Sequence, residues 1–248
     1  MEESRVMIVL QAALNGSRSH PTAPRSPSAI AQDAKRAVAA GAHSVHVHAF
    51  DAAGAETLDG DACAGVLRAI RSACPDLPVS LTTSAAIEPD VTRRLAAVQA
   101  WHTLPDLVTA NQGEAGIVEM CEWLMNRGVG IEAGLLSAAD ARTFAQWPGR
   151  HRCVQVLIEP LDPEPERAVA HAAEMERIVR DAGVLLEQVH HGDGVAAWSV
   201  NARALARGHG IRTGLEDTAV LPDGSPAESN EQLVRIAAHM LATSGRAS

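Results

Sequence analysis

The sequence predicts an α/β fold, a single closed (β/α)8 barrel over residues 1–248. Three observations carry this. Short apolar or β-branched runs alternate with longer segments of helical period, and eight such pairs fit in 248 residues, the count and size of a closed barrel. No G-x-G-x-x-G follows the first run and no composition break marks a second domain, which disfavours an open doubly wound sheet. The chain is 46% hydrophobic but only 2% aromatic, so its core is built from Ala, Val, Leu and Ile, which suit closely packed strands and helices.

The first strand is read over residues 6–12 and is followed by a Ser-, Pro-, Arg- and Gly-rich loop, 15–27, long enough to form an active-site rim. Helix 28–40 starts at Ser28 and exits at Gly41. Strand 44–49 leads to helix 60–73, strand 79–83 to helix 89–99, and strand 107–110 to helix 114–126, which ends before Gly128. Strand 129–132 precedes helix 138–147, capped by Ser137. Strand 153–158 precedes helix 165–182, with three prolines stiffening the loop 159–165 and Gly183 at the helix exit. Strand 185–189 leads to helix 196–207, and strand 211–214 to helix 229–243. In such a barrel the chemistry belongs on the loops after the strands.

Composition excludes several partners. A net charge of −9 opposes a phosphate backbone, and the scarcity of rings opposes single-stranded nucleic acid. No apolar run approaches a membrane span and no signal-like leader precedes the first strand, so a soluble, cytoplasmic protein is expected. Cys63, Cys74, Cys121 and Cys153 form no C-x-x-C pair and read as reduced, mostly buried thiols.

Residues two apart in a strand face the same side, so His46 and His48 stand together, about 6–7 Å apart along the backbone. That suits two ligands of one metal ion; it also suits two core histidines satisfied by hydrogen bonds, or two facing solvent. The exit of the last strand, Arg212-Thr213-Gly214-Leu215-Glu216-Asp217, lies two places from the second strand once the barrel closes. His46, His48 and Glu216 then suffice for one divalent ion with an open position, as in catalytic zinc sites. Arg212 beside Asp217 keeps a carboxylate ionised for use as a base; the other reading is a structural ion pair at the barrel mouth. Glu132, ending the fifth strand, reads as a substrate contact or as support for other residues. His190-His191-Gly192-Asp193-Gly194 reads as a tight turn or as an approach to phosphate or pantetheine.

Asp51, Gly54 and Glu56 follow His46-Val47-His48, and Ala227-Glu228-Ser229-Asn230-x-Gln232-Leu233-Val234 follows the last strand. Weaker echoes are Ala13-Leu14-Asn15-Gly16, Leu81-Thr82-Thr83 and Pro105-Asp106-Leu107-Val108-Thr109-Ala110-Asn111. With the histidine pair and the Arg212–Asp217 motif, these resemble the β-keto acid cleavage enzymes of the 3-keto-5-aminohexanoate cleavage type, through most of the chain. The resemblance implies a zinc-dependent (β/α)8 homo-oligomer that reacts a β-keto acid with acetyl-CoA, giving acetoacetate and a new CoA thioester. It implies Zn2+ on His46, His48 and Glu216, proton handling by Arg212 and Asp217, and substrate-binding hydroxyls on Thr82 and Thr109.

Three departures bear on the substrate. Phe50 stands where the family commonly has an arginine after the second histidine. Arg18 follows the first strand where the aminohexanoate enzyme carries an acidic residue, so an anionic substrate group is expected there; the other reading is a solvated loop cation. Residues 159–165 replace the usual glycine-rich loop. A metal-dependent aldolase or hydrolase without CoA, and a catalytically inactive barrel used as a binding module, are the other functions these residues fit.

Overall fold

The computed structural model describes residues 8–244. Its strands are β1 (Leu10–Ala13), β2 (Ser44–Val47), β3 (Ala49–Phe50), β4 (Glu56–Thr57), β5 (Val79–Thr82), β6 (Leu107–Asn111), β7 (Gly130–Leu135), β8 (Gln155–Ile158), β9 (Glu187–His190) and β10 (Gly210–Thr213). The helices are α1 (Pro27–Ala40), α2 (Gly60–Ala73), α3 (Val91–Gln99), α4 (Ile117–Met125), α5 (Ala138–Gln146), α6 (Pro165–Asp181), α7 (Ala197–Ala206) and α8 (Asn230–Ser244). Eight strands close a barrel in the order β1-β10-β9-β8-β7-β6-β5-β2, every neighbouring pair parallel. Among the described residues, no helix is long and apolar enough to cross a membrane.

The (β/α)8 barrel is therefore the observed fold, with local corrections. The second strand stops at Val47, and Ala49–Phe50 pairs instead with Glu56–Thr57 in an antiparallel hairpin, an element too short to have a period. Helix α1 is capped by Ser26, not Ser28: its hydroxyl accepts from the Ala29 amide (3.3 Å), and Pro27 takes the first helical position. Asp90 caps α3 and moves its start from 89 to Val91. The ninth strand runs two residues later than expected at its start, leaving Leu185 96% exposed in the preceding turn. Positions 6 and 7 of the expected first strand lie outside the described residues. Ser137 caps α5 and Gly41 ends α1 at φ 116°, as the sequence suggests.

Strand alternation divides the core in two. Leu10, Val45, Val47, Val79, Leu81, Val108, Ile131 and Val156 pack with helical residues such as Ile30, Ala34, Leu67 and Leu124 in one buried aliphatic layer. The barrel interior is polar. Glu132, fully buried, accepts from Gln11 Nε2 and Gln155 Nε2 (2.7 Å each) on one oxygen, and from Ser80 Oγ and Thr109 Oγ1 (3.1 Å) on the other. Four donors replace the water that a buried carboxylate loses.

Two features fix the last strand's exit against the first. A Cβ on Gly214 would lie 1.9 Å from the Ala13 carbonyl oxygen, so only glycine lets β10 and β1 approach here. Asn230, at the start of α8, donates to the Leu14 carbonyl (2.7 Å) and Asp33 Oδ2 (2.6 Å) and accepts from the Leu215 amide (2.7 Å). One buried amide thus ties the β1 loop, α1, the β10 loop and α8 together. The Asn230 motif is a structural junction beside the barrel mouth.

Candidate active site at the barrel mouth

His46 on β2 and His48 just after it meet Glu216 from the β10 loop. His46 Nε2 lies 3.6 Å from Glu216 Oε2 and His48 Nε2 3.6 Å from Glu216 Oε1, and the three ligand atoms fall within 4.8 Å of one another. The three residues could therefore hold one metal ion. The imidazole nitrogens that point away are held in turn. His46 Nδ1 lies 3.1 Å from Ser80 Oγ and 3.2 Å from Thr109 Oγ1, hydroxyls that donate to Glu132. His48 Nδ1 donates to Glu56 Oε1 at 2.6 Å, from the β3–β4 hairpin. His46 thus carries its proton on Nδ1 and turns an Nε2 lone pair towards Glu216, the tautomer that ligation through Nε2 requires, while His48, its Nδ1 proton held by Glu56, would ligate through Nε2 on losing the proton there.

Backbone placement is equally specific. Asn15 Oδ1 accepts from the His48 amide (2.8 Å), while Asn15 Nδ2 donates to the carbonyls of His48 (3.2 Å) and Pro24 (2.8 Å). A Cβ on Gly16 would come within 2.8 Å of Glu216 Cγ, so the β1 loop closes onto the carboxylate.

Arg212, 2% exposed, donates to Glu216 Oε1 (2.6 Å) and Asp217 Oδ1 (2.7 Å), with Nε 3.2 Å from Asp217 Oδ2. Burial opposes ionisation of both carboxyls, but Arg212 overcomes it: Asp217 is held below the usual range and Glu216 well below. Burial drives His46 down to about 3, so it is neutral. For His48 the Glu216 and Glu56 carboxylates outweigh burial and raise it to about 9.

The mouth cavity, about 340 Å³, is lined by Ser17, Arg18, Glu159, Gly192, Asp193, Glu216 and Asp217. Arg18 is an ion-paired residue there: it meets Asp193 across the mouth and donates to the carbonyls of Glu216 (3.1 Å) and Asp217 (3.3 Å). Thr82, buried on the rim, accepts from the Ser84 amide (3.2 Å). Phe50 pairs with Glu56 in the hairpin, and its ring carries the Arg25 guanidinium at 5.0 Å. A cation thus reaches the hairpin from the β1 loop, beside Phe50.

Ser80 was not singled out by sequence reasoning, and Glu159 stood out only as the start of a stiff loop, Glu56 and Asn15 only as parts of a motif, and His191 only within a turn read as one approach to phosphate, none with the contacts it makes here. A lone serine in a strand has no signal; the register His46↔Ser80 gives it its role. His190, the last residue of β9, and His191 just after it face opposite ways. His191 points at Asp217, while His190 stacks on His209 (centroids 4.8 Å) outside the barrel, near Glu176. Glu176, His190 and His209 also bring three ligand atoms together, but Arg203 (2.5 Å) and Arg207 (2.9 Å) occupy the Glu176 oxygens, and a cation would have to displace both. All four cysteines are free, and burial pushes the thiols of Cys63, Cys121 and Cys153 up to about 12, so they are inert.

Comparison with known proteins gives three kinds of relative. The family model for beta-keto acid cleavage enzymes matches residues 7–178 and 162–248. The 3-keto-5-aminohexanoate cleavage enzyme of Fusobacterium nucleatum is 24% identical, covering 96% of this chain and 93% of its own. The structure of ObcA in ternary complex with a C4-CoA adduct and oxalate superposes with a TM-score of 0.75 at 17% identity, over 91% of this chain; this chain spans 65% of the length of ObcA. The 3-dehydroquinate dehydratase of Aquifex aeolicus shares the fold at a TM-score of 0.60 and 13% identity, over 94% of this chain and 97% of its own. With the family model matched along almost its whole length, the chain belongs to the β-keto acid cleavage enzyme family.

Proposed function

We propose that this enzyme is zinc-dependent and exchanges acyl groups between a β-keto acid and acetyl-CoA, releasing acetoacetate and a new acyl-CoA. The observation that carries the reading is the meeting of His46, His48 and Glu216 with the Arg212–Asp217 pair at the mouth of a family barrel. The residues fit a divalent ion. Glu216 Oε2 is buried without a hydrogen-bond partner, and the four acidic side chains lining the mouth, Glu159, Asp193, Glu216 and Asp217, outnumber the guanidinium groups of Arg18 and Arg212 beside them. Two imidazoles and a carboxylate are a donor set suited to Zn2+. Bound there, the ion supplies a Lewis acid for the keto and carboxylate oxygens of the substrate.

Asp217 takes the proton from the α-carbon of the β-keto acid. The resulting carbanion attacks the acetyl thioester, forming a carbon–carbon bond and expelling CoA thiolate. The thiolate adds to the substrate's own keto carbonyl, and the bond between that carbon and the α-carbon breaks, leaving the new acyl-CoA. Asp217 returns its proton to the α-carbon, completing acetoacetate. Thr82 offers a neutral hydroxyl to the substrate carboxylate; the Thr109 hydroxyl sits beside it in register but is engaged by His46 and Glu132. Arg18, which lines the mouth cavity, is the cation there for an anionic substrate end to engage in place of Asp193. ObcA, of the same fold, is described with a C4-CoA adduct, which makes acetyl-CoA the co-substrate to test first.

The test is a panel of β-keto acids, neutral and dicarboxylic, incubated with the zinc-loaded protein with and without acetyl-CoA, following acetoacetate and thioester products. Turnover that requires acetyl-CoA, and is lost in His46→Ala together with bound zinc, is expected. Consumption of keto acid at the same rate without acetyl-CoA would establish the aldolase or hydrolase instead. Zinc binding without any turnover, or without any shift in melting temperature on adding keto acid, would favour a binding module.

A further inference from the structure

We propose that His191 and Glu159 form, with Asp217, a buried chain of three groups that positions the Asp217 carboxylate and presents its Oδ2 to the substrate. The inference rests on reading Asp217 as the base. His191 is fully buried, yet neither ring nitrogen has a hydrogen-bond partner, a condition that buried imidazoles rarely show. Its surroundings explain the anomaly. Nδ1 lies 3.4 Å from Asp217 Oδ1 and Nε2 lies 3.5 Å from Glu159 Oε2, so the ring is strung between carboxyl groups from two different loops. A closure of a few tenths of an ångström satisfies both nitrogens, and site hydrogen bonds are commonly long until substrate is bound.

His191 donates from Nδ1 to Asp217 in either of two proton arrangements: an imidazolium that also donates from Nε2 to the Glu159 carboxylate, or a neutral imidazole whose Nε2 accepts from a protonated Glu159. Burial, the largest effect, raises the Glu159 carboxyl. Oδ1 of Asp217 is thereby held from two sides, by Arg212 Nη2 at 2.7 Å and by His191, while Oδ2 keeps one contact, Arg212 Nε at 3.2 Å. The less engaged oxygen is the one available to a substrate proton. Orienting a base through a third group is a recurring device in active sites. It also gives the 159–165 loop a task beyond stiffness: Glu159, its first residue, closes the chain at the cavity rim.

The test uses the zinc-loaded enzyme. His191→Leu removes both ring contacts, whereas His191→Asn restores a donor near the Nδ1 position; Glu159→Gln keeps a donor facing Nε2 and Glu159→Leu does not. Two readouts are followed, kcat against KM with acetyl-CoA, and enzyme-catalysed exchange of the keto acid's α-proton in D2O without it. His191→Leu and Glu159→Leu should lower kcat and exchange together by about ten- to a hundredfold, as when an orienting group is lost, with KM, zinc content and Tm little changed. His191→Asn and Glu159→Gln should recover most of the loss. Exchange and kcat within twofold of wild type in Glu159→Leu, which tests the chain even if His191→Leu does not fold, would overturn the proposal. So would equal losses in His191→Leu and His191→Asn. Asp217→Asn separates the two readings: if it leaves exchange intact, Asp217 is not the base; if it abolishes exchange while the His191 and Glu159 variants do not, only the positioning chain fails.

Discussion

A neutral imidazole ligates through whichever nitrogen lacks the proton, so the residues behind His46 matter as much as those in front. Glu132 takes hydrogen bonds from Ser80 and Thr109, whose oxygens are then free to accept from His46 Nδ1. Glu132→Gln breaks this order where its NH2 replaces Oε2. The amide donates to the hydroxyls, the hydroxyls donate to Nδ1, and the proton moves to Nε2, the nitrogen that faces Glu216. The expected result is a fall in zinc affinity of about ten- to a hundredfold with the barrel still folded, read by competition with a chelating dye. Unchanged affinity would show that the tautomer is set elsewhere. Little of this was legible beforehand. The H-x-H pair and Arg212-x-Gly214-Leu215-Glu216-Asp217 announce themselves by spacing, whereas Ser80 is defined only by register and Asn15 only by the backbone it holds. Glu132 stood out at a strand end, but the four donors around it come from four different strands.

Among the elements, the α6–α7 contact outside the barrel behaves as a stability device. Glu176, buried on α6, meets Arg203 and Arg207 from α7, and His209 lies 3.5 Å away. Burial would raise this carboxyl, but the two arginines outweigh it and bring it from 4.5 to about 2. A carboxyl depressed on folding stabilises the native state above its unfolded pKa and loses that contribution as pH falls through the folded value. Glu176→Gln should therefore cost on the order of 2 kcal/mol near neutral pH, less than the full shift because Arg207 is half exposed. The gap between wild type and variant in urea unfolding should narrow below about pH 4.5 and close near pH 2. A gap independent of pH would mean that packing, not charge, is lost. The elements themselves followed the sequence where periodicity was long, as in α2 and α6, and departed from it where a cap or a two-residue pairing decided: Ser26 and Asp90 at helix starts, and the β3–β4 hairpin that carries Glu56.

For the whole molecule, closure is what makes the site. His46 and Glu216 are 170 positions apart, and they meet because β10 and β2 both pair with β1, with Gly214 and Asn230 locking the seam. The fold was legible because eight βα units admit few other arrangements, and its aliphatic composition suits the layer between barrel and helices. The rim was less so, because loop side chains such as Arg18, Glu159 and His191 find partners across the mouth that no local pattern reveals. The proposed reaction turns on one transfer, that of the acetyl group of acetyl-CoA to the α-carbon of the β-keto acid. Acetyl-CoA labelled with 13C in both acetyl carbons, incubated with the zinc-loaded enzyme and a β-keto acid, tests this by NMR. The account predicts label in the keto and methyl carbons of acetoacetate and none in the new acyl-CoA. Label retained in acetyl-CoA while the keto acid is consumed, or label entering the acyl-CoA product, would contradict it.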